Sequence, residues 1–173
     1  MRVINHATMK DLEEMDKLRK TEQNKVGFVP MSRWEWQVTY RSQTLSVMKE
    51  DGEMVGYIFW TPGLPVAAIQ QLVIREDARR FERGSELVDQ ALEDMQDPQR
   101  YGVTCRCRLD LEANLFWEAL GFEAVREESG GARGYPLIRY YKELRPTLLP
   151  LGLYLPYNVR LKNQRDGFRF KGV

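Results

Sequence analysis

The chain has few of the residues that cross-link a protein or chelate a metal. Its 173 residues include two cysteines, Cys105 and Cys107, and a single histidine, His6. Cysteines separated by one residue cannot form an ordinary disulfide, and one histidine beside them makes no usual zinc site. We therefore expect neither a disulfide framework nor a metal centre, and the scarcity of cysteine favours a reducing compartment.

Long hydrophobic runs are also missing. The longest apolar stretches, such as 148–155, are short and are interrupted by proline and glycine, whereas a membrane helix needs about 20 apolar residues. Residues 1–6 contain no apolar core of the kind that a secretory signal requires. We expect a cytoplasmic protein without a membrane partner.

Charge of one sign is not in excess over the whole chain. The 26 basic and 25 acidic residues leave a net charge of +1, which gives no general signal for nucleic-acid binding. The segment 145–173 differs, because it holds six basic residues, one acidic residue and several aromatic ones. We interpret it as a C-terminal extension that packs on the body or on another subunit, as in a homodimer; contact with nucleic acid is the less favoured alternative.

The hydrophobic spacing predicts the order β-α-α-β-β-β-α-β-α-β-β, which is an α/β (or α+β) fold with a mixed sheet. Turn residues mark two of the boundaries: Asp51-Gly52 predicts a hairpin, and Gly121 predicts the end of a helix. A strand from Val66 to Ile74 and a helix over 86–95 flank a charge-rich segment. Both cysteines fall on the apolar face of the strand predicted over 102–109, which favours core packing.

The segment 113–122, which reads Ala-Asn-Leu-Phe-Trp-Glu-Ala-Leu-Gly-Phe, resembles the late helix and strand of the GNAT acetyltransferases. The predicted element order is similar to that of the same family, and the resemblance covers residues 1–144. It implies a GNAT-like acyl-CoA N-acyltransferase fold in this domain, with 145–173 as a separate extension. It also implies acetyl-CoA as the acyl donor and an amine, of a small molecule or a protein, as the acceptor.

The charge-rich segment after the strand is similar to the GNAT pyrophosphate loop, in which Gln or Arg, two residues, Gly, one residue, and Gly or Ala precede a helix. Backbone N–H groups at such a helix N-terminus bind phosphate. The best alignment places Arg79 first, Glu82 at the middle glycine and Gly84 last; Glu82 brings a negative charge that the neighbouring arginines offset. The resemblance implies cofactor contacts from Leu72, Val73, Ile74, Arg79, Arg80, Phe81, Glu82, Arg83, Gly84, Ser85, Asn114 and Trp117.

Two segments nearer the N-terminus are candidates for the acceptor side. Residues 25–30, Lys-Val-Gly-Phe-Val-Pro, resemble the family's loop between the first two helices, which shapes the acceptor cleft. Trp34, Trp36 and Tyr40 follow at helical spacing. They could line an acceptor pocket, but we favour core packing for them.

Acid–base residues are the weak part of the resemblance. Many members carry a glutamate near the start of the fourth strand, where this chain has residues 67–71, Ala-Ala-Ile-Gln-Gln. Trp117 replaces a tyrosine that protonates the thiolate in many members, and an indole cannot act as that acid. No catalytic residue is assigned. We expect an acetyl-CoA-dependent N-acetyltransferase that works by direct transfer in a ternary complex; the alternatives are a GNAT-fold enzyme that modifies nucleic acid and a catalytically inactive CoA-binding module.

Overall fold

The computed structural model describes residues 1–80, 82–130 and 134–146. In these residues seven strands and four α-helices follow the predicted order, which confirms the fold class. They are β1 (Arg2–His6), α1 (Leu12–Thr21), α2 (Met31–Tyr40), β2 (Leu45–Glu50), β3 (Glu53–Thr61), β4 (Val66–Ile74), α3 (Arg83–Asp94), β5 (Gly102–Arg108), α4 (Ala113–Ala119), β6 (Glu123–Glu128) and β7 (Leu137–Glu143).

The strands form one mixed sheet in the order β1-β2-β3-β4-β5-β7-β6. Strands β4 and β5 pair in parallel, and β1–β2, β2–β3, β5–β7 and β6–β7 pair antiparallel. The described residues group into two compact units. The first comprises Met1–Pro62 and Ile69–Gln96, and the second comprises Gly63–Ala68 and the described residues from Asp97 onward. Strand β4 therefore contributes residues to both units.

The core of the first unit is built on the apolar side of α1, as its spacing predicts. Leu12, Met15 and Leu18 are buried, and Trp34 of α2 packs edge-on against Tyr57 of β3 with ring centroids 5.7 Å apart. The aromatic residues of α2 divide: Trp34 is fully buried, whereas Trp36 and Tyr40 are 47% and 70% exposed. Core packing is confirmed for Trp34 and is wrong for Trp36 and Tyr40, because a single helix face meets the core. The other buried members of the cluster are Ala7, Val29, Leu45, Val47, Met54, Phe59 and Val73.

The hairpin between β2 and β3 turns at the predicted dipeptide. Asp51 and Gly52 both have positive φ angles, 49° and 88°. Two central residues with positive φ are characteristic of a type I′ turn, whose twist matches that of the paired strands. The local sequence therefore sets the register of this hairpin.

The second unit packs β5 and β7 against α4. Cys105 and Cys107 are buried, free thiols, which confirms their core interpretation; burial raises the pKa of both, that of Cys107 to about 11. Helix α4 ends as predicted at Gly121, whose φ is +79°. The N–H of Gly121 donates to the Glu118 carbonyl (2.9 Å) and that of Phe122 to the Trp117 carbonyl (3.0 Å), which is a Schellman motif.

The helices are short: within the described ranges, none has the length and apolar character needed to cross a membrane. All but the first two residues of the predicted extension, 147–173, lie outside the described residues.

Candidate functional site

The last residues of β4 form one side of the candidate site. Val73 is buried, and Leu72 and Ile74 are partly exposed. The parallel register with β5 runs from Val66, opposite Gly102, to Ala68, opposite Thr104, while the strand itself continues to Ile74. The three residues expected to bind the donor by their backbone therefore lie beyond that register.

The loop after β4 turns twice through the left-handed backbone region. Arg80 has a φ of 67° and Glu82 a φ of 62°. An L-residue pays about 1–2 kcal/mol for this conformation, whereas glycine adopts it freely. The sequence resemblance aligns Glu82 with the family's middle glycine, and here this residue adopts a conformation that favours glycine. Phe81, between these two residues, lies outside the described part of the chain.

Helix α3 begins directly at this turn. Glu82 is its N-cap residue, and its carbonyl accepts hydrogen bonds from the Ser85 hydroxyl (2.6 Å) and the Glu86 N–H (3.0 Å). The first N–H groups of a helix have no intrahelical carbonyl partner, and they form the positive end of its dipole. Residues Arg83, Gly84 and Ser85 supply these groups. The local chemistry therefore fits an anionic ligand at this helix end.

Two of the arginines expected to offset Glu82 are paired with carboxylates of the protein. Arg83 donates to both carboxylate oxygens of Glu50, at 2.8 and 2.7 Å, and Arg79 pairs with Glu22 at 2.6 Å. The hydrogen bond from Arg83, with a second one from Arg2, lowers the pKa of Glu50 to about 2. Arg79 and Arg83 thus fasten the loop to the rest of the first unit, and part of their charge is already neutralised.

Asn114, at the start of α4 in the second unit, is held by hydrogen bonds. Its Nδ2 donates to the carbonyls of Arg108 (2.8 Å) and Leu111 (2.7 Å), and its Oδ1 accepts from the Tyr140 hydroxyl (3.0 Å). Burial, together with nearby Glu118, raises the pKa of Tyr140 to about 12. Asn114 therefore fixes the helix start relative to β5 and β7, and its contact with the cofactor stays a prediction.

Trp117 is the residue that the sequence resemblance aligns with a tyrosine of the family. It is 6% exposed and packs edge-on against Phe116 and Phe122, with ring centroids 5.2 and 5.1 Å apart. In the second unit it is thus a packing residue, and its predicted role toward the cofactor stays untested.

Gln71 is a buried residue whose role sequence reasoning missed. Its Nε2 donates to the Gly27 carbonyl, and its Oε1 accepts from the Tyr57 hydroxyl at 3.2 Å. The side chain is therefore committed to joining β4, β3 and the loop after α1. Desolvation raises the pKa of Tyr57, so its hydroxyl stays protonated. The available signal is that Gln71, unlike its exposed neighbour Gln70, falls on the alternation of β4 that also carries Val73.

The model of one protein family matches residues 9–122, well over half of the chain; its description is the acetyltransferase (GNAT) family. The chain belongs to the GNAT acetyltransferase family. This confirms the resemblance found in segment 113–122 and in the element order. No curated protein matches the chain significantly.

Solved GNAT structures share the fold at low sequence identity. Ard1 from Thermoplasma volcanium is 19% identical, with a TM-score of 0.74 over 84% of this chain and 99% of that one. The ribosomal-protein-S18-alanine N-acetyltransferase from Escherichia coli is 15% identical, with a TM-score of 0.68 over 85% and 96%. A putative acetyltransferase from Salmonella typhimurium, solved with its cofactor acetyl-CoA, is 12% identical, with a TM-score of 0.70 over 86% and 97%.

Proposed function

We propose that the protein is an N-acetyltransferase that uses acetyl-CoA and transfers its acetyl group directly to an amine in a ternary complex. The observation that carries this proposal is the left-handed turn at Glu82, which leads from the end of β4 into the first N–H groups of α3 in a member of the GNAT family. The Salmonella typhimurium neighbour, solved with acetyl-CoA, supports the choice of donor.

The residues of the first unit fit a diphosphate at the start of α3. The N–H groups of Gly84 and Ser85 would bind its oxygens, and glycine at position 84 allows a close approach to the backbone. Arg80, whose side chain is exposed, would add positive charge. The backbone of Leu72 to Ile74 would hold the pantetheine arm.

Acetyl-CoA supplies a thioester that a neutral amine can attack. The chain's part is to orient the two reactants and to stabilise the oxyanion through the N–H of Leu72 or a neighbouring residue. Gln71 has no useful pKa and Tyr57 holds its proton. The acceptor would therefore lose its proton to water or to a group outside residues 67–71.

Binding of the donor is the first test. Calorimetry should show one molecule of acetyl-CoA, and of CoA, per chain. Gly84→Glu should abolish this binding, because it places a carboxylate where the diphosphate would lie, yet an acidic residue suits a first helical turn and should preserve the fold. Gly84→Gln, of matched size, should weaken binding less. Absence of CoA binding by the folded protein would refute the proposal.

Acceptor identity is the second test. Release of the CoA thiol should be followed with small amines and with peptides that carry a free N-terminus, the latter because the Escherichia coli neighbour acts on a ribosomal protein. A second candidate function is suggested by the amide at Gln71 and the buried Trp117: a CoA-binding module without catalysis. Tight CoA binding with no thiol release by any acceptor class would favour that candidate.

A further inference from the structure

Three arginines lie side by side on one face of the sheet in the second unit. Arg106 of β5 is opposite Arg139 of β7, and Arg139 is opposite Arg126 of β6. Residues directly opposite each other on antiparallel strands point to the same face, and like charges in such pairs are destabilising. We call these three residues the arginine row.

A β-bulge places the third arginine in the row. Ala124 is paired with Tyr140, and regular pairing would then put Val125 opposite Arg139. Instead the register shifts, and Arg126 takes that place. Bulges of this kind re-aim a side chain, and they are frequent next to functional sites. The β-bulge therefore places a third positive charge in the row.

The counter-charge within the described residues is incomplete. Glu128 accepts hydrogen bonds from Arg139 Nε (2.6 Å) and Nη2 (3.3 Å), and from Arg126 Nη2. Burial of Glu128 opposes its ionisation, but the two guanidinium groups outweigh that effect and lower its pKa. Arg106 is exposed and forms no hydrogen bond or ion pair with another described residue. Among the described residues, one carboxylate thus pairs with two of the three cations, and Arg106 has no ion-pair partner.

Arg126 also carries an unsatisfied donor. Its side chain is 13% exposed, and its Nε is buried without an acceptor among the described residues. Desolvation, with the charges of Arg139 and Arg106, lowers the pKa of Arg126. A buried N–H group without an acceptor is costly. An oxyanion bound at the row would supply the missing negative charge, and a rotation of the Arg126 side chain that exposes Nε would give this N–H its acceptor.

We propose that the arginine row binds an oxyanion group, a carboxylate or a phosphate, carried by a small molecule. The planar guanidinium fork matches both groups and forms charge-assisted hydrogen bonds to either. All three residues of the arginine row belong to the second unit, whereas Glu82 and α3 belong to the first. The proposal does not depend on acetyl transfer and can be tested without an activity assay.

The test uses the full-length, ¹⁵N-labelled protein titrated with inorganic phosphate and, separately, with acetate, each against chloride at equal ionic strength. A saturable shift of the Arg126 Nε–H resonance, together with a rise in Tm that chloride does not give, is expected with at least one anion. A response to phosphate alone or to acetate alone identifies the group bound. The same shift with chloride, or none with either anion, would overturn the proposal.

A variant pair tests the row itself. Arg106→Gln removes an exposed charge without breaking a described contact, so the fold should persist while the affinity for the responding anion falls by roughly tenfold or more. In chloride its Tm should be unchanged or higher, because like-charge repulsion is relieved. Lys17→Gln removes the same charge from the exposed side of α1 and should leave the affinity unchanged. Equal affinities for all three proteins would show that the row is only a solvated structural element.

Discussion

Glu82, at the start of α3, holds a left-handed backbone conformation with a φ of 62° and a ψ of −6°. Replacing it with glycine should therefore stabilise the fold. The suitable reference is Glu82→Gln rather than the natural residue, because a carboxylate at a helix N-terminus is itself favourable. Both variants lose that charge, and only the glycine variant loses the Cβ atom that makes the conformation costly.

The expected size follows from two opposing effects. The left-handed conformation costs an L-residue about 1–2 kcal/mol, which glycine avoids. Glycine has more freedom in the unfolded chain, which returns about 0.4–1 kcal/mol. The glycine variant should thus be more stable than the glutamine variant by about 0.5–1 kcal/mol, or about 1–4 °C in Tm for a chain of this length. Thermal and urea unfolding followed by circular dichroism would measure the difference.

CoA affinity gives an independent measurement on the same variants. If the diphosphate lies roughly 8 Å from the carboxylate, two repulsive charge pairs in a water-like dielectric cost about 1 kcal/mol, or about fivefold in Kd. Both variants should bind CoA more tightly than the natural protein by about this factor. A glutamine variant at least as stable as the glycine variant would refute the conformational argument. Unchanged CoA binding in both variants would show that Glu82 does not lie near the bound donor.

Ionised and hydrogen-bonded side chains elsewhere give three more tests. Glu50→Gln should lower Tm at pH 7 because Arg83 and Arg2 each lose a pairing with this carboxylate, and the difference should shrink as the pH falls from 4.5 toward about 2, where the natural carboxylate is also protonated; a pH-independent difference would contradict this. Burial raises the pKa of Asp94, and its Oδ2 has no hydrogen-bond donor among the described residues, so its ionised form costs stability. Asp94→Asn should accordingly raise Tm at neutral pH and lose that gain below pH 3.8, where the carboxyl is protonated in both states; a lower Tm at neutral pH would contradict this. Asn114→Ala should cost about 2–3 kcal/mol in urea unfolding because the Tyr140 hydroxyl and the carbonyls of Arg108, Leu109 and Leu111 each lose a hydrogen bond to its amide; a loss below about 1 kcal/mol would show that water replaces the amide.

Local chemistry explains which parts of the fold the sequence predicted. The turn at Asp51-Gly52 and the helix end at Gly121 depend on residues that need positive φ angles, so neighbouring residues were sufficient. The apolar spacing begins at Leu87 and therefore predicts that α3 starts at residue 86. The helix begins three residues earlier, at Arg83, because its N-cap is a glutamate in a conformation that no sequence rule assigns to glutamate.

Long-range pairing explains what the sequence could not predict about the candidate site. The sequence predicts that the arginines after β4 add positive charge near a diphosphate, but it does not show their partners Glu22 and Glu50, which are distant in the chain. The alignment of Arg106, Arg139 and Arg126 depends on the register of three strands and on a bulge. The type of each residue can be read from the sequence, whereas the pairing register of the strands is defined only in the assembled sheet.

The two buried thiols of β5 are a built-in probe of how often this part of the protein opens. Cys105 and Cys107 are the only cysteines in the chain, and their burial both shields them and suppresses the thiolate that reacts with alkylating reagents. Modification must therefore wait for an opening that exposes the strand. The alkylation rate of the unlabelled protein would time openings of the second unit.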